Sequence, residues 1–102
     1  MNLRLLSNDK TLQPKTITAN YTTRRTDDVL KVDTSSGDIT VTLYNPSRNI
    51  GRWLYIKKVD DSNNSVIIDG NGYLIDDNSS VQFNLPKESL HIYCDGAKFW
   101  IV

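Results

Sequence analysis

Apolar and polar residues alternate with a period of two along most of this chain, which is the pattern of half-buried β-strands. The clearest run is Asp38–Leu43, where isoleucine, valine and leucine alternate with aspartate and threonine. Similar runs recur and end at Asn, Asp, Gly or Pro, which favour turns. The pattern predicts about nine short strands and no amphipathic helix longer than a turn. We therefore expect an all-β fold, a single antiparallel β-sandwich.

Two places interrupt this alternation. Val59 is out of phase with Ile56, which predicts a β-bulge at Lys57-Lys58. The run Asp69-Gly70-Asn71-Gly72 predicts a tight hairpin turn, and Tyr73–Asp76 is then the returning strand.

Residues 1–14 lack the alternation and end at Pro14, so we interpret them as an N-terminal arm that precedes a β-sandwich domain at 15–102. The apolar residues of the arm, which we expect to dock to a partner, are Leu3, Leu5, Leu6 and Leu12. The apolar cluster Met1–Leu6 is interrupted by Arg4 and is too short for the apolar core of a signal peptide. The sequence has no uncharged apolar run near the roughly 18 residues of a membrane span, so membrane insertion is not expected.

The net charge and the length of the chain exclude some functions and favour others. The 102 residues include 12 Lys and Arg against 12 Asp and Glu, so the formal net charge is zero. No global field attracts nucleic acid, and the basic residues do not interleave with aromatic ones, so nucleic-acid binding is not expected. A chain this short buries only about two-thirds of its unfolded surface, so association with other copies would stabilise it.

Candidates for catalysis or metal binding are few. His91 is the one histidine and has no evident nucleophile beside it. Cys94, the one cysteine, is in phase with Ile92 and is expected to be a small buried apolar residue. The paired carboxylates stand where strands end, and they favour turns over a cation site: Asp27-Asp28, Asp60-Asp61 and Asp76-Asp77. We expect no enzyme, no cofactor and no metal.

Aromatic residues give the most informative surface prediction. If Leu54 and Ile56 face the core, Trp53 and Tyr55 face outward, and Tyr93 does the same on its own strand. Exposed aromatic side chains on a sheet indicate a second surface that becomes buried. That surface is either an interface between copies of the chain or a platform on which a sugar stacks.

Several segments occur together in a distinctive order and spacing. They are Asp28–Asp33 followed by Gly37–Leu43, Ile56–Lys58 followed by Asp60–Asn64, Val66–Gly70 followed by Leu74–Asp76, and Ser89–Gly96 followed by Lys98–Val102. The stretch from Thr16 to Val102 that contains them resembles a small β-sandwich domain of tailed-bacteriophage virion proteins. It departs from that pattern in Tyr44-Asn45-Pro46 after Leu43, and in Ile67, where the family usually has a polar residue.

The resemblance implies a homotrimer that acts in assembly and surface display and not in catalysis. It implies a head fibre, a capsid decoration protein or a small tail or baseplate component, located in the virion and assembled in the host cytoplasm. Residues 1–14 would dock to other virion proteins of the capsid or tail. The alternative is a receptor- or carbohydrate-binding domain of a tail fibre, with a host-surface glycan as its partner. In either case the expected interface or platform residues are Trp53, Tyr55, Ile67 and Tyr93.

Overall fold

The computed structural model describes residues 14–102, and this part of the chain is built from β-strands and one short 3-10 helix, Pro46–Arg48. The strands are β1 Pro14–Ile17, β2 Tyr21–Thr22, β3 Val29–Val32, β4 Ile39–Thr42, β5 Trp53–Lys58, β6 Val66–Asp69, β7 Ser80–Phe83, β8 Ser89–Cys94 and β9 Phe99–Ile101. The all-β prediction is confirmed. The arm residues Leu3, Leu5, Leu6 and Leu12 lie outside the described residues. Within 14–102, no helix has the length and apolarity needed to cross a membrane.

The strands form two sheets that face each other across the core. One sheet has the order β9-β8-β5-β3-β1 and the other has the order β2-β4-β6-β7. The first six strands alternate between the sheets, so β1, β3 and β5 stack in parallel in one sheet and β2, β4 and β6 in the other. This part of the chain is a flattened coil of three turns. Antiparallel pairing of β7, β8 and β9 then completes both sheets.

The sheets are mixed, and the expectation of an antiparallel sandwich is wrong. Parallel neighbours need a long crossover between them. Here each crossover is a strand of the opposite sheet together with the two corners that flank it. The segment Thr34–Gly37 has the composition of a hairpin turn, but it carries the chain from β3 in one sheet to β4 in the other. A corner and a hairpin turn need the same residue types, so composition could not distinguish them.

The core lies between the sheets and is made by every second residue of the strands. In β4, for example, Ile39 and Val41 are buried while Thr40 and Thr42 are partly exposed. The buried apolar residues are Ile17, Leu30, Val32, Ile39, Val41, Leu43, Tyr44, Leu54, Ile56, Val66, Ile68, Ile75, Phe83, Ile92, Cys94 and Phe99. Burial of these side chains is the main favourable contribution to folding.

Strand β5 has no bulge, contrary to the prediction at Lys57-Lys58. Its pairing with β3 runs without interruption from Val29 opposite Tyr55 to Val32 opposite Lys58. The side chain of Lys58 therefore points into the core, as that of Ile56 does, and it is fully buried. The sequence pattern was misread because lysine is rarely buried unless it is paired.

The predicted hairpin over Asp69–Asp76 is also corrected. The strand that returns beside β6 is β7, with Asp69 opposite Ser80, and residues 70–79 form an excursion between them. This excursion turns inward to bury Ile75, whose backbone bridges to Phe99 of β9. Burial of one more core residue explains why the connection is longer than a tight turn.

A buried polar cluster joins two successive turns of the coil. It lies in the corners that lead from the five-stranded to the four-stranded sheet, residues 33–38 and 59–65, which we call the outgoing corners. Lys58 Nζ donates to Thr34 Oγ1 at 2.9 Å, to Asp60 Oδ2 at 2.8 Å and to Ser62 Oγ at 3.1 Å. All three ammonium protons are thus used. Asp60 Oδ1 in turn accepts from the Thr34 amide at 2.7 Å, so the two corners are held together.

Side chains at the strand entrances extend this stacking. Asn20, before β2, accepts through Oδ1 from the Thr40 amide of the next turn at 2.8 Å. Asp38, before β4, accepts through Oδ1 from the Ser65 amide of the turn after that at 2.7 Å. The same contact repeats at equivalent positions, which fixes the register of the parallel strands in the four-stranded sheet.

The surroundings of Asp60 shift the pKa of its carboxyl group. Burial acts to raise the pKa of this carboxyl group, but hydrogen bonds from Lys58, Ser62 and the Thr34 amide outweigh burial and hold the pKa far below its usual range. Asp60 is therefore ionised at neutral pH and balances the charge of the buried ammonium group.

We expect Asp60→Asn to lower the free energy of unfolding by about 3–5 kcal/mol, because it leaves the buried Lys58 ammonium without a counter-charge. The neighbouring Asp61→Asn is the matched control. It removes an exposed ion pair to Lys87, and its expected cost is below about 1 kcal/mol. Chemical denaturation of both variants measures the two values. Equal losses would mean that the buried pair does not hold the corners together.

We also expect acid to destabilise the protein in part through Asp60. Because its folded-state pKa lies below the value of about 3.9 in an unfolded chain, the stabilisation is complete only well above that value. It is lost as the pH falls from about 5 toward the folded-state pKa. The double variant Lys58→Met with Asp60→Asn should lose free energy of unfolding less steeply than the natural protein over this range. Parallel slopes in urea denaturation would contradict this role of Asp60.

Candidate functional site

The outer face of the five-stranded sheet carries a row of three aromatic side chains. Strand register places Trp100 of β9 opposite Tyr93 of β8, and Tyr93 opposite Trp53 of β5. The Trp53 and Tyr93 rings are 5.1 Å apart between centroids. Trp53 is 46% exposed and Trp100 is 41% exposed, so the row is accessible. We call Trp53, Tyr93 and Trp100 the aromatic row.

A second pair of rings lies beside this row on the same face. Tyr55 is opposite His91 in the strand register, and the rings meet edge to face with centroids 4.4 Å apart. On its other side, Tyr55 is opposite Val29. His91 is exposed, and its neighbour in the described structure is an aromatic ring.

The position of Trp100 is fixed although its ring is exposed. The indole Nε1 donates to Asp95 Oδ2 at 2.7 Å, and Lys98 Nζ lies 4.1 Å from the ring centroid. The hydrogen bond from Trp100, together with those from the Lys98 and Ala97 amides, lowers the pKa of Asp95 to about 2. An aromatic side chain held in this way loses little conformational entropy when another surface covers it.

Next to the aromatic face lies a cleft of about 510 Å³. It is formed by residues 23–28 and 43–52, the return corners that lead back from the four-stranded to the five-stranded sheet, and by the outer face of β5. Its lining residues are Arg25, Asp28, Arg48, Asn49, Ile50, Gly51, Arg52, Trp53 and Tyr55. Its volume is in the range of pockets that hold small ligands.

The cleft is positively charged although the chain is neutral overall. Its lining has three guanidinium groups, from Arg25, Arg48 and Arg52, against the single carboxylate of Asp28. Arg25 comes from one return corner and the other two arginines from the next, so parallel stacking of the turns brings them to one place. The arrangement suits an anion, because guanidinium groups bind carboxylate and phosphate oxygens in pairs.

The second return corner is anchored to the sheet by Cys94. The buried thiol donates to the Pro46 carbonyl at 3.3 Å. The backbone of Cys94 accepts from the Gly51 amide at 2.8 Å and donates to the Arg52 carbonyl at 3.0 Å. Burial raises the pKa of the thiol, so Cys94 is a structural residue, as the sequence predicted. The wall of the cleft is therefore held in place.

The first return corner is tied to the second and to β5. The Tyr44 amide donates to Thr23 Oγ1 at 3.0 Å, and the Tyr55 amide donates to the Asp28 carbonyl at 2.9 Å. Tyr44 itself is buried, which raises its pKa to about 12. These contacts set the distance between the arginines of the two corners.

Asn49 stands out in the wall of the cleft. Its Nδ2 donates to the Asn45 carbonyl at 2.7 Å, but its Oδ1 has no hydrogen-bond partner in the described part of the chain. The residue is only 7% exposed. A buried acceptor without a donor costs about 1–3 kcal/mol and calls for an explanation.

The structure brings together three of the four surface residues predicted from the sequence. Trp53, Tyr55 and Tyr93 share the outer face of the five-stranded sheet. Ile67 is half-buried in β6 of the other sheet, opposite Thr40 and Gln82, and its buried neighbours in sequence show that it faces away from the core. Ile67 and the aromatic residues therefore lie on opposite faces of the sandwich.

Sequence reasoning missed the cleft and Trp100. The arginines are scattered along the chain, and only the parallel stacking of turns unites Arg25 with the other two. One signal was present, since Arg48 and Arg52 flank a turn directly before Trp53. Trp100 could have been found from the hairpin at Asp95-Gly96, which places it opposite Tyr93.

We expect the Cys94 thiol to react with a thiol reagent only after unfolding, because it is buried and its pKa is raised. The rate of labelling is measured in buffer and in denaturant, and the denatured protein serves as the control for a reagent-accessible thiol. Rapid labelling of the native protein would show that the second return corner opens and that the cleft is not preformed.

Comparison of the chain with protein-family models, with curated proteins and with solved structures gave no significant match. Within residues 14–102, no group of three or more His, Cys, Asp or Glu side chains is placed to hold a metal ion. The features that distinguish the surface are thus the aromatic face and the arginine-lined cleft beside it.

Proposed function

We propose that this chain is a non-enzymatic, homotrimeric surface protein of a bacteriophage virion, whose β domain associates through the outer face of the five-stranded sheet. The candidates are a head fibre, a capsid decoration protein and a small tail or baseplate component. In this proposal residues 1–14 attach the domain to other virion proteins. The sequence segments that resemble phage virion domains support the proposal.

The aromatic row is the observation that carries the association. Large aromatic side chains that are partly exposed and conformationally fixed are typical anchors of protein interfaces. Val102, two residues after Trp100 and 61% exposed, extends this outer face beside His91. A contiguous apolar surface of this kind is rarely left uncovered on a monomer.

A second candidate function is binding of a receptor or carbohydrate by the same face. The cleft favours it, because Trp53 and Tyr55 belong to both the aromatic face and the cleft lining. In this case the two side chains remain accessible in the assembled protein. The two functions are compatible if the association uses Tyr93 and Trp100, which lie farther from the cleft along the row.

We expect light scattering of the full chain to give a mass three times the chain mass of 11.6 kDa. Trp100→Ser should reduce the mass to that of one chain, since it removes an anchor and leaves the buried core intact. Ile67→Thr is the control on the opposite face, and it keeps a β-branched residue in the strand.

A single-chain mass for the natural protein at micromolar concentration would contradict the trimer. If Ile67→Thr dissociates the oligomer and Trp100→Ser leaves it intact, the interface lies on the four-stranded sheet instead. Circular dichroism of each variant establishes that the fold is retained.

A further inference from the structure

We propose that the arginine-lined cleft binds the carboxylate of an acidic sugar, a uronic or sialic acid residue of a glycan. This inference deepens the second candidate function and does not depend on the trimer. The lining of the cleft combines Arg25, Arg48 and Arg52 with the aromatic residues Trp53 and Tyr55. Sugars with a carboxylate combine one planar anion with an apolar ring face and several hydroxyls.

The anion is recognised by the guanidinium groups. Arg48 is exposed and Arg52 is half-buried, and both come from the return corner anchored by Cys94. A guanidinium presents parallel N–H donors that match the two oxygens of a carboxylate. With two arginines from one rigid corner and Arg25 from the other, the cleft has more positive than negative charge at a fixed place, so it is preorganised for an anion.

The sugar ring is recognised by the aromatic side. Trp53 is 46% exposed and Tyr55 is half-buried, and both stand on β5, a strand in the interior of the sheet. A rigid strand holds these rings at a constant distance from the arginines. A pyranose has an apolar face that can cover such a ring, whereas inorganic phosphate has none. The combination therefore favours an acidic sugar over a simple anion.

The polar groups of the wall fit hydroxyls. Asn49 Oδ1 is buried and accepts no hydrogen bond in the described structure, and Asp28 contributes a carboxylate to the lining. Carboxylate and amide oxygens accept hydrogen bonds, so a wall of this composition suits hydroxyl donors better than phosphate oxygens.

The size and charge of the cleft argue against single-stranded nucleic acid. Such ligands are bound in grooves that follow several nucleotides with a long positive surface. Here three arginines line one cleft of about 510 Å³ on a chain with zero formal net charge. This volume is suited to one or two sugar residues.

The test is titration calorimetry of the full chain with two acidic probes and their neutral counterparts. Oligogalacturonate is compared with its methyl ester, and sialyllactose is compared with lactose. We expect at least one acidic probe to bind about tenfold or more tightly than its neutral counterpart. The affinity should fall as salt is added, since the contact is ionic.

The variants distinguish the cleft from general surface charge. Arg52→Ala and Arg25→Ala should each weaken binding of the acidic probe about tenfold. Arg24→Ala is the matched control. Arg24 is the exposed neighbour of Arg25, does not line the cleft, and contacts Asp27 through its backbone, so its replacement should leave binding unchanged. Arg52→Lys should restore only part of the affinity, because lysine keeps the charge without the paired donors.

Three results would overturn the inference. One is that neither acidic probe binds, or that each binds no better than its neutral counterpart. Another is that inorganic phosphate competes as well as the acidic sugars, which would make the cleft a simple anion site. The third is that a short oligothymidylate binds more tightly than the acidic sugars do, and that the same arginine variants lose this binding. Light scattering gives the mass of each sample, so a protein that does not bind the sugar can be distinguished from one that does not form a trimer.

Discussion

The buried contact between Lys58 and Asp60 is the constraint on which the rest of this structure depends. A charged side chain in the core is costly unless its partner and its hydrogen bonds are in place. Here the ammonium group has three acceptors, and two of them lie on one outgoing corner while the third, Thr34, lies on the preceding one. The contact forms only when successive turns of the coil are stacked in register. It therefore selects the parallel arrangement among the ways in which short strands of this composition can pair.

The stacking at the outgoing corners has a consequence for the return corners. When the strands of both sheets are in register, residues 23–28 and 43–52 also lie one above the other. That brings Arg25 to the side of Arg48 and Arg52, next to Trp53. Within residues 14–102, the same winding leaves the outer face of β5 and β8 free of crossovers, because each crossover between parallel strands of this sheet passes through the opposite sheet. Both the cleft and the accessible aromatic face thus follow from how the chain is wound.

The sequence correctly predicted the features that follow from alternation of apolar and polar residues along a single strand. It identified the all-β class, the inward residues such as Ile39 and Val41, the burial of Cys94 and the outward side of Trp53 and Tyr55. It predicted the last hairpin, at Asp95-Gly96, but not how the first six strands pair, because a turn between sheets and a hairpin turn use the same residues. The buried Lys58 was treated as an interruption, although its phase relative to Leu54 and Ile56 was correct for the core. The cleft could not be predicted because its arginines come together only through the pairing.

Association and ligand binding would meet at Trp53, which belongs to both the aromatic row and the cleft. The assembled protein can serve both functions if Tyr93 and Trp100 are covered and the side of Trp53 toward the arginines stays open. Carboxylate recognition would then occur at the margin of each interface. A chain with zero formal net charge also suits a protein displayed in many copies, since it limits non-specific attraction between particles.

Tryptophan fluorescence during dilution tests the central claim most directly, because both tryptophans of the chain, Trp53 and Trp100, lie on the proposed interface. The mass and the emission are followed together as the concentration falls. If copies associate through this face, emission shifts to longer wavelength and acrylamide quenching rises at the concentration where the oligomer dissociates. A loss of mass with no change in emission or quenching would contradict the claim and would move the interface away from the aromatic row.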